Sequence, residues 1–429
     1  MIKFESHVLD NGLRVFLAPM HETKAVTVLF LMNVGSRYET AKQNGLSHFL
    51  EHMFFKGTGL RPTTLDISQE LDTLGAEYNA FTGEEYTGYY VATAGVHFNI
   101  AFDVLADMIY ESKFEPKEIE KEKGVIVEEI KMYHDNPNSY LNQIAKTLVY
   151  GDTPLGRDIA GTPETVRSFN RDDFLSYRQQ YYGPSNTIVV IAGNPVNHDW
   201  LKIVDAGLSH IPAGSVKQFE HPAKMTDGHV VAIGHKPIKQ VHLNLMHYAF
   251  GHKDPRVPAM SVLSNILGGT MSSRLFIEVR EKRGLAYYVR SSLDTFHDIG
   301  TFDCTAGVDP EKLNEALGLM ITEIDRLKTE PVGEIALARA KQNIQGRMSL
   351  RLEDSHSIAR YIASEELEMG EVVQPEAYLE RIEKVTEKDI IELANDLLIT
   401  DNRRIAVVGP LDEAKIDELT EIILETKKG

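Results

Sequence analysis

Val26-Thr27-Val28-Leu29-Phe30-Leu31-Met32 reads as a β-strand, a short, nearly unbroken apolar run that ends at Val34-Gly35. A counterpart, Val241-His242-Leu243-Asn244-Leu245-Met246, lies about 215 residues further on and runs out at Phe250-Gly251. Each run is followed by a polar loop and then a helical segment. Thr187-Ile188-Val189-Val190-Ile191-Ala192-Gly193 is matched in the same way by Arg404-Ile405-Ala406-Val407-Val408-Gly409. Such a repeat predicts two structurally related domains. Strands come first in each half and amphipathic helices follow, so the fold class is α+β, with a mostly antiparallel sheet packed on helices in each domain. The stretch from Ile211 to Gly228 contains Pro212, Gly214 and Pro222 and lacks periodicity. It reads as a linker between domains at 1–210 and 229–429.

Composition is consistent with this outline. At roughly 150 residues per domain, 429 residues suggest two or three domains. With 42% hydrophobic and 25% charged residues, disordered, collagenous and disulfide-scaffold classes are excluded. The net charge is −18 and neither half is basic, which argues against nucleic-acid and anionic-membrane partners. The longest apolar runs are of strand length, so no membrane span is expected. Met1-Ile2-Lys3-Phe4-Glu5-Ser6-His7 lacks the pattern of a signal peptide, and the expected location is cytoplasmic. The single cysteine, Cys304, allows no internal disulfide and no cysteine-based zinc site. Any metal must therefore sit on His, Asp or Glu.

The chemistry concentrates in Asn44-Gly45-Leu46-Ser47-His48-Phe49-Leu50-Glu51-His52-Met53-Phe54-Phe55-Lys56-Gly57. Asn44 is a candidate helix cap and Gly57 a candidate terminator. His48 and His52 are four apart, so their imidazoles leave one helix face a turn apart, as two ligands of one tetrahedral zinc require. Glu51 projects near the same edge and can act on water without binding metal. The order is the inverted H-x-x-E-H pattern. With Leu46, Phe49, Leu50, Phe54 and Phe55 around it, the helix is expected to be buried, and buried imidazoles beside a buried acid need a partner.

A third ligand is expected on the helix opened by Pro116-Lys117-Glu118, which runs to about His134 and carries Glu118, Glu120, Glu122, Glu128 and Glu129. Glu122 and Glu129 share a face over two turns, whereas Glu128 points about 100° away from Glu129. With Val125 and Ile126 read as core residues, Glu129 is favoured as ligand and Glu122 as hydrogen-bond partner of a ligand imidazole.

Over essentially the whole chain these residues resemble the M16 metallopeptidases, a family that includes pitrilysin, insulin-degrading enzyme and the mitochondrial processing peptidase subunits. His48-Phe49-Leu50-Glu51-His52-Met53 is similar to the family's H-F-L-E-H-M, and Glu122 with Val125-Ile126-Val127-Glu128-Glu129 resembles its E-x-x-V-I-x-x-E segment, a register that selects Glu129. Asn79-Ala80-Phe81-Thr82 resembles the edge strand to which substrate backbone adds. Arg280 and Tyr287, within Arg280-Glu281-Lys282-Arg283-Gly284-Leu285-Ala286-Tyr287, resemble the pair that holds the scissile peptide and its developing oxyanion. The repeat offset places His48, Glu51 and His52 opposite Leu263, Ile266 and Leu267, so only the first half carries a zinc site.

The resemblance thus implies a Zn2+-dependent endopeptidase or oligopeptidase acting on peptides or unfolded polypeptide segments inside a clamshell chamber. It also implies a homodimer in which Arg280 and Tyr287 act in cis or in trans. The competing reading is a catalytically silent peptide-binding or assembly subunit. A separate metal site among His235, His242, His247 and His252 is disfavoured, because His242 and His247 fall on opposite faces of a strand.

Overall fold

The computed structural model describes residues 1–196, 199–215, 218–221 and 228–424. Pro222 and the other linker residues at 216–217 and 222–227 lie outside the described residues. Two compact units are present: Met1–Lys131 with Arg157–Glu220 and Ser349–Gln374, and Met132–Gly156 with His221–Met348 and Pro375–Gly429.

The first unit is built on a six-stranded sheet of β1 (Glu5–Val8), β2 (Arg14–Pro19), β3 (Ala25–Met32), β4 (Glu77–Thr82), β5 (Thr87–Ala94) and β6 (Thr187–Gly193). Its order is β1-β2-β6-β3-β5-β4, antiparallel except for the β2–β6 pair. The unbroken apolar run of β3 has a simple cause: both faces are covered. Val26, Val28, Phe30 and Met32 enter a core under the helices Leu46–Phe54 and Phe98–Glu111. Leu29 and Leu31 pack on the opposite face with Ile358, Ala359 and Ile362 of the helix Ser355–Met369. Each such side chain contributes roughly 1.5–3 kcal/mol by burial. Strand β4 lies at the end of the sheet, so among the described residues one of its edges has no strand beside it.

The second unit repeats the plan with β7 (Val231–His235), β8 (Val241–Phe250), β9 (Ala286–Thr295), β10 (Ile299–Val308) and β11 (Arg403–Gly409), in the order β7-β11-β8-β10-β9. Here β11 and β7 are parallel and the other pairs antiparallel. One face is covered by a core containing Leu243, Leu245, Phe302 and Ile405, and the other receives Leu141, Ala145 and Leu148 of the helix Pro137–Tyr150. Each unit thus takes its second covering helix from the opposite half of the sequence. Leu263, Ile266 and Leu267 are buried apolar residues of the helix Val257–Gly268.

Candidate metal centre

The helix Leu46–Phe54 is anchored before it presents any chemistry. Glu39, 2% exposed, accepts hydrogen bonds from the backbone N–H of Gly45 at 2.8 Å and of Ser47 at 2.6 Å. A carboxylate therefore satisfies two of the donors left open at the helix start, and favours the positive end of the helix dipole. Burial still pushes the Glu39 carboxyl up to about 7. The expected cap, Asn44, does something else: its Nδ2 donates to the Asp158 carbonyl at 2.8 Å. Gly45 stands at the start instead, with φ 97, and a Cβ there would lie 2.7 Å from the Ala160 carbonyl oxygen. Gly57 lies beyond the helix end, which falls at Phe55, and has φ 116.

The apolar face of this helix is locked by rings. Phe49 meets Phe174 edge-on at 4.8 Å, and Phe54 meets Tyr89 at 5.3 Å. The expectation of burial all round is corrected: Phe49, Leu50, Met53 and Phe54 are buried, whereas His48, Glu51 and His52 are half-buried along one side.

On that side the imidazoles of His48 and His52 are 4.7 Å apart between ring centres. Glu129 reaches both from the helix Pro116–Asp135: His48 Nε2 to Glu129 Oε1 is 3.8 Å and His52 Nε2 to Glu129 Oε2 is 3.4 Å. One ligand atom from each of the three falls within 4.8 Å of the others. Ligands bonded at about 2.0–2.1 Å around a tetrahedral zinc stand roughly 3.3–3.5 Å apart, so this donor set fits the ion. Burial, reinforced by the neighbouring His52 imidazole, holds His48 down at about 3, so it is neutral with a free lone pair at ordinary pH.

Glu122 Oε1 lies 2.9 Å from His52 Nδ1, and Oε2 lies 2.7 Å from Lys56 Nζ. Burial opposes ionisation of Glu122, but the bonds to His52 and Lys56 outweigh it and hold the carboxyl below its usual range. With Nδ1–H of His52 donated to Glu122, Nε2 is the nitrogen left to face Glu129. Neighbouring Glu128 is different, since it is 72% exposed and pairs with Lys131 on the outer face. Val125, expected in the core, is 48% exposed, and Ile126 alone of the pair is buried.

Glu51 Oε2 accepts a hydrogen bond of 2.5 Å from Thr82 Oγ1 at the end of β4. Burial pushes the Glu51 carboxyl up, with Thr82 and His52 acting against the rise and Glu129 adding to it. Along β4, Asn79 is exposed and its Oδ1 accepts from the Ala80 N–H at 2.9 Å. Ala80 packs on the inner core and Phe81 on the outer one, where Arg360 stacks 4.5 Å from its ring centre.

The first unit thus brings together His48, His52, Glu129, Glu122, Glu51 and Thr82. Arg280 and Tyr287 belong to the second unit. Arg280 lies on a π-helical turn, Phe276–Glu281, with its guanidinium 4.7 Å from the Phe276 ring centre, and Tyr287 is 59% exposed on β9. In the same unit His242 Nδ1 is 2.9 Å from Tyr288 Oη, while His247 is fully buried. Glu39 and Lys56 are the residues that sequence reasoning missed. Lys56 had a signal, one turn after His52; Glu39, outside the helix, had none.

Comparison with known proteins gives a consistent picture. Residues 14–163 match the family model described as insulinase, peptidase family M16. Residues 168–344 match the model of the peptidase M16 inactive domain. The chain is similar to an uncharacterized zinc protease of Streptomyces coelicolor, 35% identical over 97% of this chain and 91% of the relative. It is likewise similar to the uncharacterized zinc protease YmxG of Bacillus subtilis, 34% identical over 94% and 98%. Its fold is similar to that of a protease from Helicobacter pylori, with a TM-score of 0.88 at 23% identity over 96% of this chain and 100% of the other. It also resembles the peptidase M16 inactive domain from Pseudomonas fluorescens, with a TM-score of 0.87 at 19% identity over 96% and 98%. With near full-length relatives above 30% identity and two M16 family models matching residues 14–163 and 168–344, the chain belongs to peptidase family M16.

Proposed function

We propose that this protein is a zinc-dependent endopeptidase that cleaves peptides or unfolded polypeptide segments. The observation that carries the reading is the convergence of His48, His52 and Glu129 beside Glu51, from two helices distant in sequence. The zinc-protease names of its relatives support it. Among the described residues no helix is long and apolar enough to cross a membrane.

His48, His52 and Glu129 would hold the ion. A zinc ion so bound supplies a Lewis acid and brings the pKa of water toward about 7. Everything else is the work of this chain. Glu122 fixes the His52 tautomer, and Lys56 keeps Glu122 ionised. Glu51 accepts the proton from the attacking water as the water oxygen bonds to the peptide carbon. It then delivers that proton to the departing amide nitrogen as the C–N bond breaks. An extended peptide would pair with the open edge of β4 through main-chain hydrogen bonds, along Asn79, Ala80, Phe81 and Thr82. In this reading Arg280 and Tyr287 hold the peptide and the developing oxyanion, from the same chain or from its copy in a homodimer. The enclosed chamber and the cytoplasmic location expected above belong to the same proposal.

The test is cleavage of a quenched fluorescent peptide by the zinc-loaded protein. Chelator-sensitive cleavage that Glu51→Gln abolishes supports the reading. A zinc-loaded wild type that binds peptides without cutting any of a broad unfolded library overturns it in favour of a silent peptide-binding subunit.

A further inference from the structure

We infer that Thr82 is a positioning residue for Glu51, a fixed hydroxyl on the edge strand that holds the proton-carrying carboxylate in one orientation. The inference rests on the peptidase reading above and deepens it.

Thr82 is firmly held. It ends β4 opposite Thr87 of β5. Thr87 is fully buried, and its Oγ1 donates to the Val34 carbonyl at 2.8 Å. The turn that follows closes through Gly83 N–H to the Tyr86 carbonyl at 2.8 Å. It is tied to the preceding loop by Ser36 N–H to the Gly83 carbonyl at 3.2 Å and Arg37 N–H to the Glu84 carbonyl at 2.8 Å. Gly35 makes that approach possible, since a Cβ there would sit 2.2 Å from the Gly83 carbonyl oxygen. The Thr82 backbone is therefore fixed by several main-chain bonds at the base of its hairpin.

Glu51, by contrast, is a flexible side chain on a rigid helix. Its only hydrogen bond among the described residues is the one from Thr82 Oγ1 to Oε2, at 2.5 Å. It commits one carboxylate oxygen and leaves Oε1 to take the proton. A hydroxyl at this position supplies a donor without a competing charge, which a lysine or arginine would bring.

The same residue lies on the strand whose outer edge is open. A peptide added to that edge extends the sheet beside a Thr82 that is already fixed, so Glu51 is oriented before the peptide arrives. Correctly docked substrates thus meet an oriented proton carrier, and misplacement of a reacting group by about 1 Å can cost on the order of 100-fold in rate.

Thr82→Val keeps the shape and removes the hydroxyl; Thr82→Ser keeps the hydroxyl. With the zinc-loaded protein, Thr82→Val is expected to lower kcat by about 10- to 100-fold with KM within about twofold. Thr82→Ser is expected to stay within about threefold of wild type. Two readouts do not depend on turnover. Zinc content is expected to be unchanged in both variants. A labelled peptide, measured by fluorescence anisotropy in the Glu51→Gln background, is expected to bind with the same Kd with or without Thr82→Val. A rise in KM or Kd with kcat intact would place Thr82 on the peptide and overturn the inference. So would loss of zinc in Thr82→Val, or equal loss of kcat in both variants, which would assign the effect to packing. If wild type itself fails to cleave, the peptidase reading falls; if wild type cleaves and Thr82→Val cleaves equally, only this inference does.

Discussion

Glu122 accepts a hydrogen bond from His52 Nδ1 at 2.9 Å, with the Glu122 side chain only 3% exposed. A buried carboxylate in that place sets which imidazole nitrogen carries the proton and leaves the lone pair of the other toward Glu129. Glu122→Gln removes the charge with little change in shape. Zinc affinity is expected to fall about 10- to 100-fold, the usual consequence of losing such a partner. Competition against a fluorescent zinc chelator at fixed pH measures it.

Lys56 supports the same carboxylate from its other side, at 2.7 Å. Lys56→Met keeps the aliphatic stem and removes the ammonium. Without it the balance at Glu122 shifts toward burial, and the carboxyl is expected to be harder to ionise. Zinc binding should weaken by a smaller factor than in Glu122→Gln, and the two substitutions together should be less than additive because they act on one network. The double-mutant cycle of zinc affinities checks this.

Glu39 holds the start of the histidine helix rather than its chemistry. Glu39→Ala leaves the Gly45 and Ser47 N–H groups without an acceptor in a buried site, and unsatisfied groups of this kind typically cost about 1–3 kcal/mol each. The urea midpoint should fall accordingly. Zinc should still bind to the folded protein, more weakly, because the ligands remain while their platform loosens.

Asp303 supplies a pH test far from the metal ligands in sequence and in a different unit. It is buried on β10, where Thr301 Oγ1 at 2.7 Å and Asn244 Nδ2 at 2.8 Å donate to it, yet burial raises its carboxyl from 3.8 to about 6. Between those values the folded chain keeps a proton that the unfolded chain has lost. The contribution of this group to stability therefore falls as pH rises from about 4 to beyond 6. Asp303→Asn removes that slope. The urea midpoint of the variant relative to wild type should improve steadily across this window; a constant difference would show that Asp303 does not titrate there.

The legible part of the fold was the part written as local pattern. Val26–Met32 and its counterpart at Val241 announce strands, and the structure forms strands there and covers both with helices on each side. Pro116-Lys117-Glu118 announces a helix start, and the helix Pro116–Asp135 begins there. His48 and His52 share a helix face by spacing alone. Glu129 was separable from Glu128 because one step along a helix turns a side chain by about 100°. What local pattern could not show depends on distant pairing. Glu39 replaces Asn44 as the acceptor at the helix start because the chain folds a carboxylate back onto it. The helices Pro137–Tyr150 and Ser355–Met369 each join the unit of the opposite sequence half, and no periodicity encodes which sheet a helix covers. Val125 looked like core because it is apolar, but its position on the helix faces outward.

The most direct test is zinc stoichiometry measured by mass spectrometry of metal content in purified wild type, His48→Ala, Glu129→Gln and Glu128→Gln. One zinc per chain is expected in wild type and in Glu128→Gln, with loss in His48→Ala and Glu129→Gln. Full zinc in a folded Glu129→Gln chain, or its loss from Glu128→Gln alone, would contradict the three-residue site on which the proposed peptidase activity stands.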